Sequence, residues 1–184
     1  MSGKRGHRTF DTAPKIHTAR LVLRPYTLDD FRFLTLLYET DRSAFIGGRL
    51  SVRRGWDGFM NCVGQWPIHG FGGWAIEEMS TGQIVGEVAI QHPPDYPETE
   101  LGWLLFDGFE GRGYALEAAV AARRFAFEQA GVTSLVSYVD PGNIRSIRLA
   151  ERLGAVQDVD AKTPNNDPCL VFRHAADSAA APVT

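Results

Sequence analysis

The chain has 184 residues, of which 44% are hydrophobic and 22% charged, with a formal net charge of −3 at pH 7. That length and balance fit one globular domain with a sizeable core, and the charge gives no basis for a nucleic-acid footprint, although a local basic patch is compatible with it. The two cysteines, Cys62 and Cys169, give neither a disulfide framework nor zinc-ligand spacing, so no metal is expected.

Residues 1–18 are polar and basic and lack an apolar stretch of signal-peptide length. No run approaches membrane-spanning length either, so a cytoplasmic location without a membrane partner is expected. Residues 1–18 and 175–184 read as flexible tails around one domain at 19–174, because few large apolar side chains offset the entropy of ordering them.

Within the domain, residues 19–25 alternate polar and apolar and stop at Pro25, as a half-buried strand does. Thr27 is the expected cap of a first helix, with Phe31, Leu34, Leu37 and Tyr38 on one face. Ser51 caps a second, with Val52, Trp56, Phe59, Met60 and Val63 on one face and Pro67 after its end. Three strands follow, at 74–79, 84–91 and 99–106, the first two joined by a tight turn at 80–83. Residues 113–129 are strongly helical, with Ala115, Ala119, Ala122 and Ala126 forming a narrow face and Gly131 ending the run. A short buried strand at 135–139, a helix at 144–153 closed by Gly154, and strands at 155–160 and 169–174 complete the domain. The order β-α-α-β-β-β-α-β-α-β-β predicts a mixed α/β arrangement.

The informative stretch runs from Glu100 to Ala115: a strand, a glycine-rich loop, then a helix start. Unpaired amides and a partial positive charge at a helix N-terminus suit a phosphate or pyrophosphate, and glycines let the main chain approach it. A Walker A loop is absent for want of its Gly-Lys-Ser/Thr ending. A Rossmann fingerprint fails because its third glycine would fall at Leu116.

Glu110-Gly111-Arg112-Gly113-Tyr114-Ala115, followed by Glu117-Ala118, resembles the pyrophosphate motif of the GNAT N-acetyltransferase superfamily, Gln/Arg-x-x-Gly-x-Gly/Ala. Glu110 departs from its first position. The segment from Asn143 to Ala155 resembles the Asn-x-x-Ser…Leu-Gly stretch of the RimJ/RimL-like branch, which acetylates N-termini of ribosomal proteins. The segment from Thr18 to Pro25 is similar to that branch's opening strand. Together the resemblance spans about residues 18–174.

It implies the acyl-CoA N-acyltransferase fold of α+β type: a central mixed, mostly antiparallel sheet flanked by helices, with its fourth and fifth strands splayed. Acetyl-CoA (coenzyme A) would lie in that cleft as co-substrate. The main chain of Leu104, Leu105 and Phe106 would pair with the pantetheine arm. The amides of Gly111, Arg112, Gly113, Tyr114 and Ala115 would hold the pyrophosphate, and the Asn143 side chain would touch the arm from the opposite strand. The implied activity is acetyl transfer to a primary amine, on a small molecule or a protein N-terminus, by a monomer or homodimer. A coenzyme A-binding sensor without catalysis is the alternative.

Transfer from a thioester needs a group to take the amine proton and one to protonate the thiolate. Glu87 and Glu100 stand on strands bordering the expected cleft, and Asp158 follows the last helix. Each reads as a candidate base or as a solvated strand-face carboxylate, with Glu100 favoured because it opens the cofactor strand. Many family members carry a tyrosine acid four residues past Ser146, where this chain has Ala150. Ser146 is then the candidate acid, or simply a hydroxyl bonding to local backbone, and Tyr138 is the second donor. Arg145, Arg148 and Arg152 form a stripe expected to face solvent, with a phosphate contact from Arg145 or Arg148 as the alternative. Trp66 and Phe71 are candidate walls of the acceptor pocket.

Overall fold

The computed structural model describes residues 12–45 and 48–176, with residues 41 and 42 described by their main chain only. In chain order its elements are β1 (Ile16–His17), β2 (Leu21–Arg24), α1 (Asp30–Tyr38), α2 (Val52–His69), β3 (Gly73–Glu78), β4 (Ile84–Gln91), β5 (Thr99–Leu105), α3 (Tyr114–Glu128), β6 (Leu135–Val139), α4 (Ile144–Arg152), β7 (Val156–Gln157) and β8 (Leu170–His174). Short 3₁₀ turns occupy Asp41–Phe45 and Pro164–Asn166. None of the described helices is long and apolar enough to cross a membrane.

The strands form one sheet in the order β1-β2-β3-β4-β5-β6-β8-β7. All neighbours are antiparallel except β5 and β6, which run parallel. Alternation along β3 and β4 sends Trp74, Ile76, Val88 and Ile90 to the face covered by α3. There Ala118, Ala119, Ala122 and Ala126 let the helix lie close to the sheet while Phe125 fills the space between, and burying that ring contributes about 2–3 kcal/mol. On the other face Leu34 and Leu37 of α1 and Phe59 of α2 pack on Ala75, Ile84 and Phe106.

Four local expectations change. Thr27 does not cap α1: its amide and hydroxyl both donate to Asp30, whose carboxylate also receives Arg24, and the cap position falls to Asp29. Pro67 lies inside α2, which continues to His69. The helix end tolerates it because the Trp66 indole donates to the Gly73 carbonyl and packs edge-on against Trp74, anchoring that turn in the core. The strand expected at 155–160 shrinks to β7, as Asp158 turns away to pair with Arg173.

Residues 12–18, expected as part of a tail, are packed: Ala13 is buried, β1 pairs with β2, and the Trp74 indole donates to the Pro14 carbonyl. The remainder of that tail, residues 1–11, and residues 177–184 at the other end lie outside the described residues.

Candidate active site

The parallel contact between β5 and β6 is short, with Thr99 opposite Leu135 and Glu100 opposite Val136. One residue further on, the Leu101 carbonyl is taken by the Ser137 hydroxyl at 2.6 Å, a side chain in place of a ladder bond. That hydroxyl, having donated, accepts from His174 Nε2 at 2.9 Å. Burial pushes the His174 imidazole down to about 4, so it is neutral with its proton on Nε2. Beyond this plug the strands diverge, which is the splay expected of the family's fourth and fifth strands, here β5 and β6.

A cleft of about 900 Å³ runs from the splay to the start of α3, lined by Trp103, Leu104, Leu105 and the glycine-rich loop on one side and by α4 on the other. Main-chain directions alternate along β5. The Phe106 amide donates to the Val85 carbonyl, and the Leu104 carbonyl points at Gly86, where a Cβ would stand 2.2 Å from it. Both groups therefore belong to the β4 side. The main-chain groups of Leu104 and Phe106, expected beside a pantetheine arm, are thus turned to β4, and by alternation those of Trp103 and Leu105 turn toward β6.

At the loop, Gly111 and Gly113 sit in left-handed conformations, φ +74° and +81°, and both line the cleft with Tyr114 and Ala115. Among the described residues, no protein acceptor is found for the amides of Gly111, Arg112, Gly113, Tyr114 or Ala115. Gly113 is also the N-cap of α3, so the helix dipole adds its partial charge there. The opening segment holds this turn in place. Arg20 bonds the Arg112 carbonyl and pairs with Glu117 at 2.7 Å, while Thr18 donates to the same carboxylate. Tyr114 donates its hydroxyl to Glu78 beneath the helix start.

Arg112 stacks its guanidinium over Phe109, away from the cleft lining. Glu110, at the divergent motif position, accepts from the Gly108 amide at 3.0 Å and lies 3.7 Å from Arg145 across the cleft mouth. The stripe of Arg145, Arg148 and Arg152 is exposed, as expected, and it also borders the cleft beside the glycine-rich loop. The Asn143 carboxamide caps α4 by accepting from the Ser146 amide, so its oxygen is committed locally while the residue still lines the cleft.

A second cavity, about 470 Å³, lies between β4, β5 and the α1–α2 side, and meets the cleft at Phe45, Trp103, Leu104, Asn143 and Ser146. Register puts Glu87 opposite Leu104, Ala89 opposite Gly102 and Gln91 opposite Glu100, all on this face. Burial pushes the Glu100 carboxyl up to about 7, against hydrogen bonds from Gln91 and the Tyr138 amide that pull it back. Burial likewise raises Glu87, against a 2.7 Å bond from the Tyr26 hydroxyl. Tyr138 also lines the cavity. Its oxygen accepts from the Glu98 amide, leaving its proton to donate, and burial pushes that proton's pKa up to about 12.

The structure thus brings Glu87, Glu100, Tyr138 and Ser146 to one cavity. Asp158 is not among them, being engaged with Arg173, which also pairs with Glu98. Trp66 and Phe71 are buried in the α3-side core and line neither the cleft nor the second cavity. Ala150 is fully buried against Val139 and Phe172, so that helix position has no room for a tyrosine, and Ser146 is the α4 hydroxyl at the junction. Sequence reasoning missed Tyr26, Gln91 and Tyr96. The first two steady the carboxylates and the third is a cavity wall; only the antiparallel register of β4 and β5 discloses the Gln91 partnership.

The model of the acetyltransferase (GNAT) domain family matches residues 20–156. The chain belongs to the GNAT acetyltransferase family. An acetyltransferase from Agrobacterium tumefaciens superposes on this GNAT chain with TM-score 0.85 at 40% identity, covering 89% of this chain and 95% of that one. A Bacillus subtilis protein, YkkB, is 34% identical over 83 residues, a match spanning 44% of this chain and 48% of that protein. A spermidine N-acetyltransferase from Vibrio cholerae, solved with CoA and spermine, shares the fold at TM-score 0.65 and 17% identity, over 84% of this chain and 94% of that one.

Proposed function

We propose that this GNAT domain transfers an acetyl group from acetyl-CoA directly to a primary amine. The observation that carries the reading is the junction of two spaces. A cleft edged by an amide-rich loop and arginines opens, at Leu104 and Ser146, onto a cavity holding a carboxylate whose pKa is near 7. The first space suits a pyrophosphate and an extended arm, and the second suits a group that must lose a proton at neutral pH.

In this reading the amides of Gly111 to Ala115 hold the pyrophosphate, with Arg145 and Arg148 beside it. Trp103 and Leu105 align the pantetheine arm as a further strand would be aligned. Glu100 takes the proton from the ammonium form of the acceptor, directly or through water, and the free amine attacks the thioester carbonyl. As the tetrahedral intermediate collapses, its nitrogen gives up its surplus proton, which passes through the hydroxyl of Ser146 or Tyr138 to the departing coenzyme A thiolate, leaving the amide and the free thiol. The transfer is direct, and burial, which raises the Cys62 thiol and disfavours its thiolate, is in keeping with that.

The test is thiol release from acetyl-CoA with a panel of primary amines and peptide N-termini. Amine-dependent release supports the transferase. Tight coenzyme A binding without release on any amine would instead support a non-catalytic sensor. The RimJ/RimL-like branch predicts activity on protein N-termini, and the peptide arm of the panel tests it.

A further inference from the structure

The register of a parallel pair dictates where its next bond falls. With Thr99 opposite Leu135 and Glu100 opposite Val136, the next donor to the Leu101 carbonyl is the Tyr138 amide. The pairing ends one bond short of that. The Leu101 carbonyl takes the Ser137 hydroxyl instead, and the Tyr138 amide turns to the Glu100 carboxylate. We propose that Ser137 is the positioning residue for Glu100: by serving the Leu101 carbonyl it releases the Tyr138 amide from the sheet to hold the carboxylate. This rests on the transferase reading above, in which Glu100 takes the acceptor's proton.

The exchange is built into the core. Ser137 is 2% and His174 5% exposed. His174, opposite Leu135 on β8, donates to the Ser137 oxygen, so the one proton of that hydroxyl goes to Leu101. Without the hydroxyl, the buried Leu101 carbonyl has one donor within its register, the Tyr138 amide. An unpaired buried carbonyl is costly enough to draw that amide back. Glu100 would then keep Gln91 as a donor and lose its second. Its side chain leans along β5 toward the junction with the cleft, since a Cβ at Gly102 would stand 3.9 Å from the carboxyl carbon. The titratable groups around it are Cys62 on α2, Tyr96 before β5, Tyr138 on β6 and Cys169 before β8, with Glu87 and Asp140 elsewhere on the cavity wall. Burial keeps both thiols and both phenols protonated at neutral pH, so the two N–H donors are what offset burial at Glu100.

Two measurements on the full chain test the proposal. One is titration of the Glu100 carboxyl by carbon-13 NMR. The other is kcat/KM for thiol release from acetyl-CoA between pH 5 and 9, with whichever amine of the panel above reacts fastest. Ser137→Ala should move the Glu100 midpoint up by about one unit. The rising limb of kcat/KM should move with it, so that activity falls about fivefold at pH 7 and recovers by pH 9. Ser137→Thr, which restores a hydroxyl, should return both to the parent values. If Ser137→Ala does not fold, His174→Leu removes the group that fixes the hydroxyl and should shift both the same way. His174→Gln, which keeps an N–H there, should not. An unmoved Glu100 midpoint in the alanine variant, or in the leucine variant where that one serves, overturns the proposal. Equal shifts in Ser137→Ala and Ser137→Thr overturn it too, and amine-dependent thiol release then leaves the transferase standing. A moved midpoint with an unmoved rate limb keeps Ser137 as the holder of Glu100 and removes Glu100 as the base. A moved midpoint with no thiol release from any amine keeps the proposal and removes the transferase.

Discussion

Gln91 donates from Nε2 to Glu100 Oε2 over 2.6 Å, across a β4–β5 register that sets the two residues opposite each other. The bond steadies the carboxylate and moderates a rise caused by burial, leaving it near 7. The base form therefore accumulates as pH rises through neutrality. The expected kcat/KM profile climbs with an apparent pKa of about 7. Glu100→Gln should lower kcat by about 100-fold or more and flatten that limb. Gln91→Leu removes a contact favouring the charged form and should move the limb upward. Initial rates from pH 5 to 9 check all three.

The same group makes a stability prediction. Its folded pKa lies above the ordinary 4.5, so the folded state holds more protons than the unfolded state between 4.5 and 7. Stability contributed by this site is present below 4.5 and is lost as pH rises through 7. Glu100→Gln should accordingly exceed the parent in stability at pH 8 by up to about 3 kcal/mol, with the gap closing toward pH 4.5. Urea titrations at both pH values measure it.

Gly113→Ala tests the phosphate loop. At φ +81° a Cβ costs about 1–2 kcal/mol, and it would also stand 3.4 Å from the Arg20 guanidinium. The expected outcome is a weaker response to coenzyme A in thermal unfolding and a KM for acetyl-CoA raised about tenfold. A KM equal to the parent's would remove this turn from cofactor binding.

Ser146→Ala and Tyr138→Phe separate the two proton donors. Ser146 lies at the junction of both cavities, whereas Tyr138 lines only the inner one. Ser146→Ala is expected to lower kcat about tenfold or more with little change in KM for acetyl-CoA, and Tyr138→Phe to lower it less. The reverse ranking in steady-state kinetics would hand the acid role to Tyr138.

Much of the fold was legible because period and punctuation agree. Residues 135–139 and 84–91 read as strands and fold as β6 and β4, and the alanine-rich pattern after Gly113 folds as α3. Thr27 misled because its hydroxyl has a better partner in Asp30, already oriented by Arg24, a contact between elements that local propensity does not register. Pro67 misled for a related reason, since packing of Trp66 holds a turn that proline alone would end. At the site, the glycine spacing announced the loop, but which main-chain groups face the opening depends on the parity of β4–β5 pairing, and that shifted the edge from Leu104 and Phe106 to Trp103 and Leu105. The carboxylates were visible as residue types; their elevated pKa values come from enclosure by α1 and α2, which no local pattern encodes.

The two-residue contact between β5 and β6 has a mechanical consequence. It joins a five-stranded antiparallel plate, β1 to β5, to a three-stranded one, β6 to β8, by a seam that Ser137 and His174 rivet at its apex. A molecule lying along the open part of that seam would act as mortar between the plates. Saturating coenzyme A should therefore slow amide exchange throughout β6 and β8, well beyond the groups it touches.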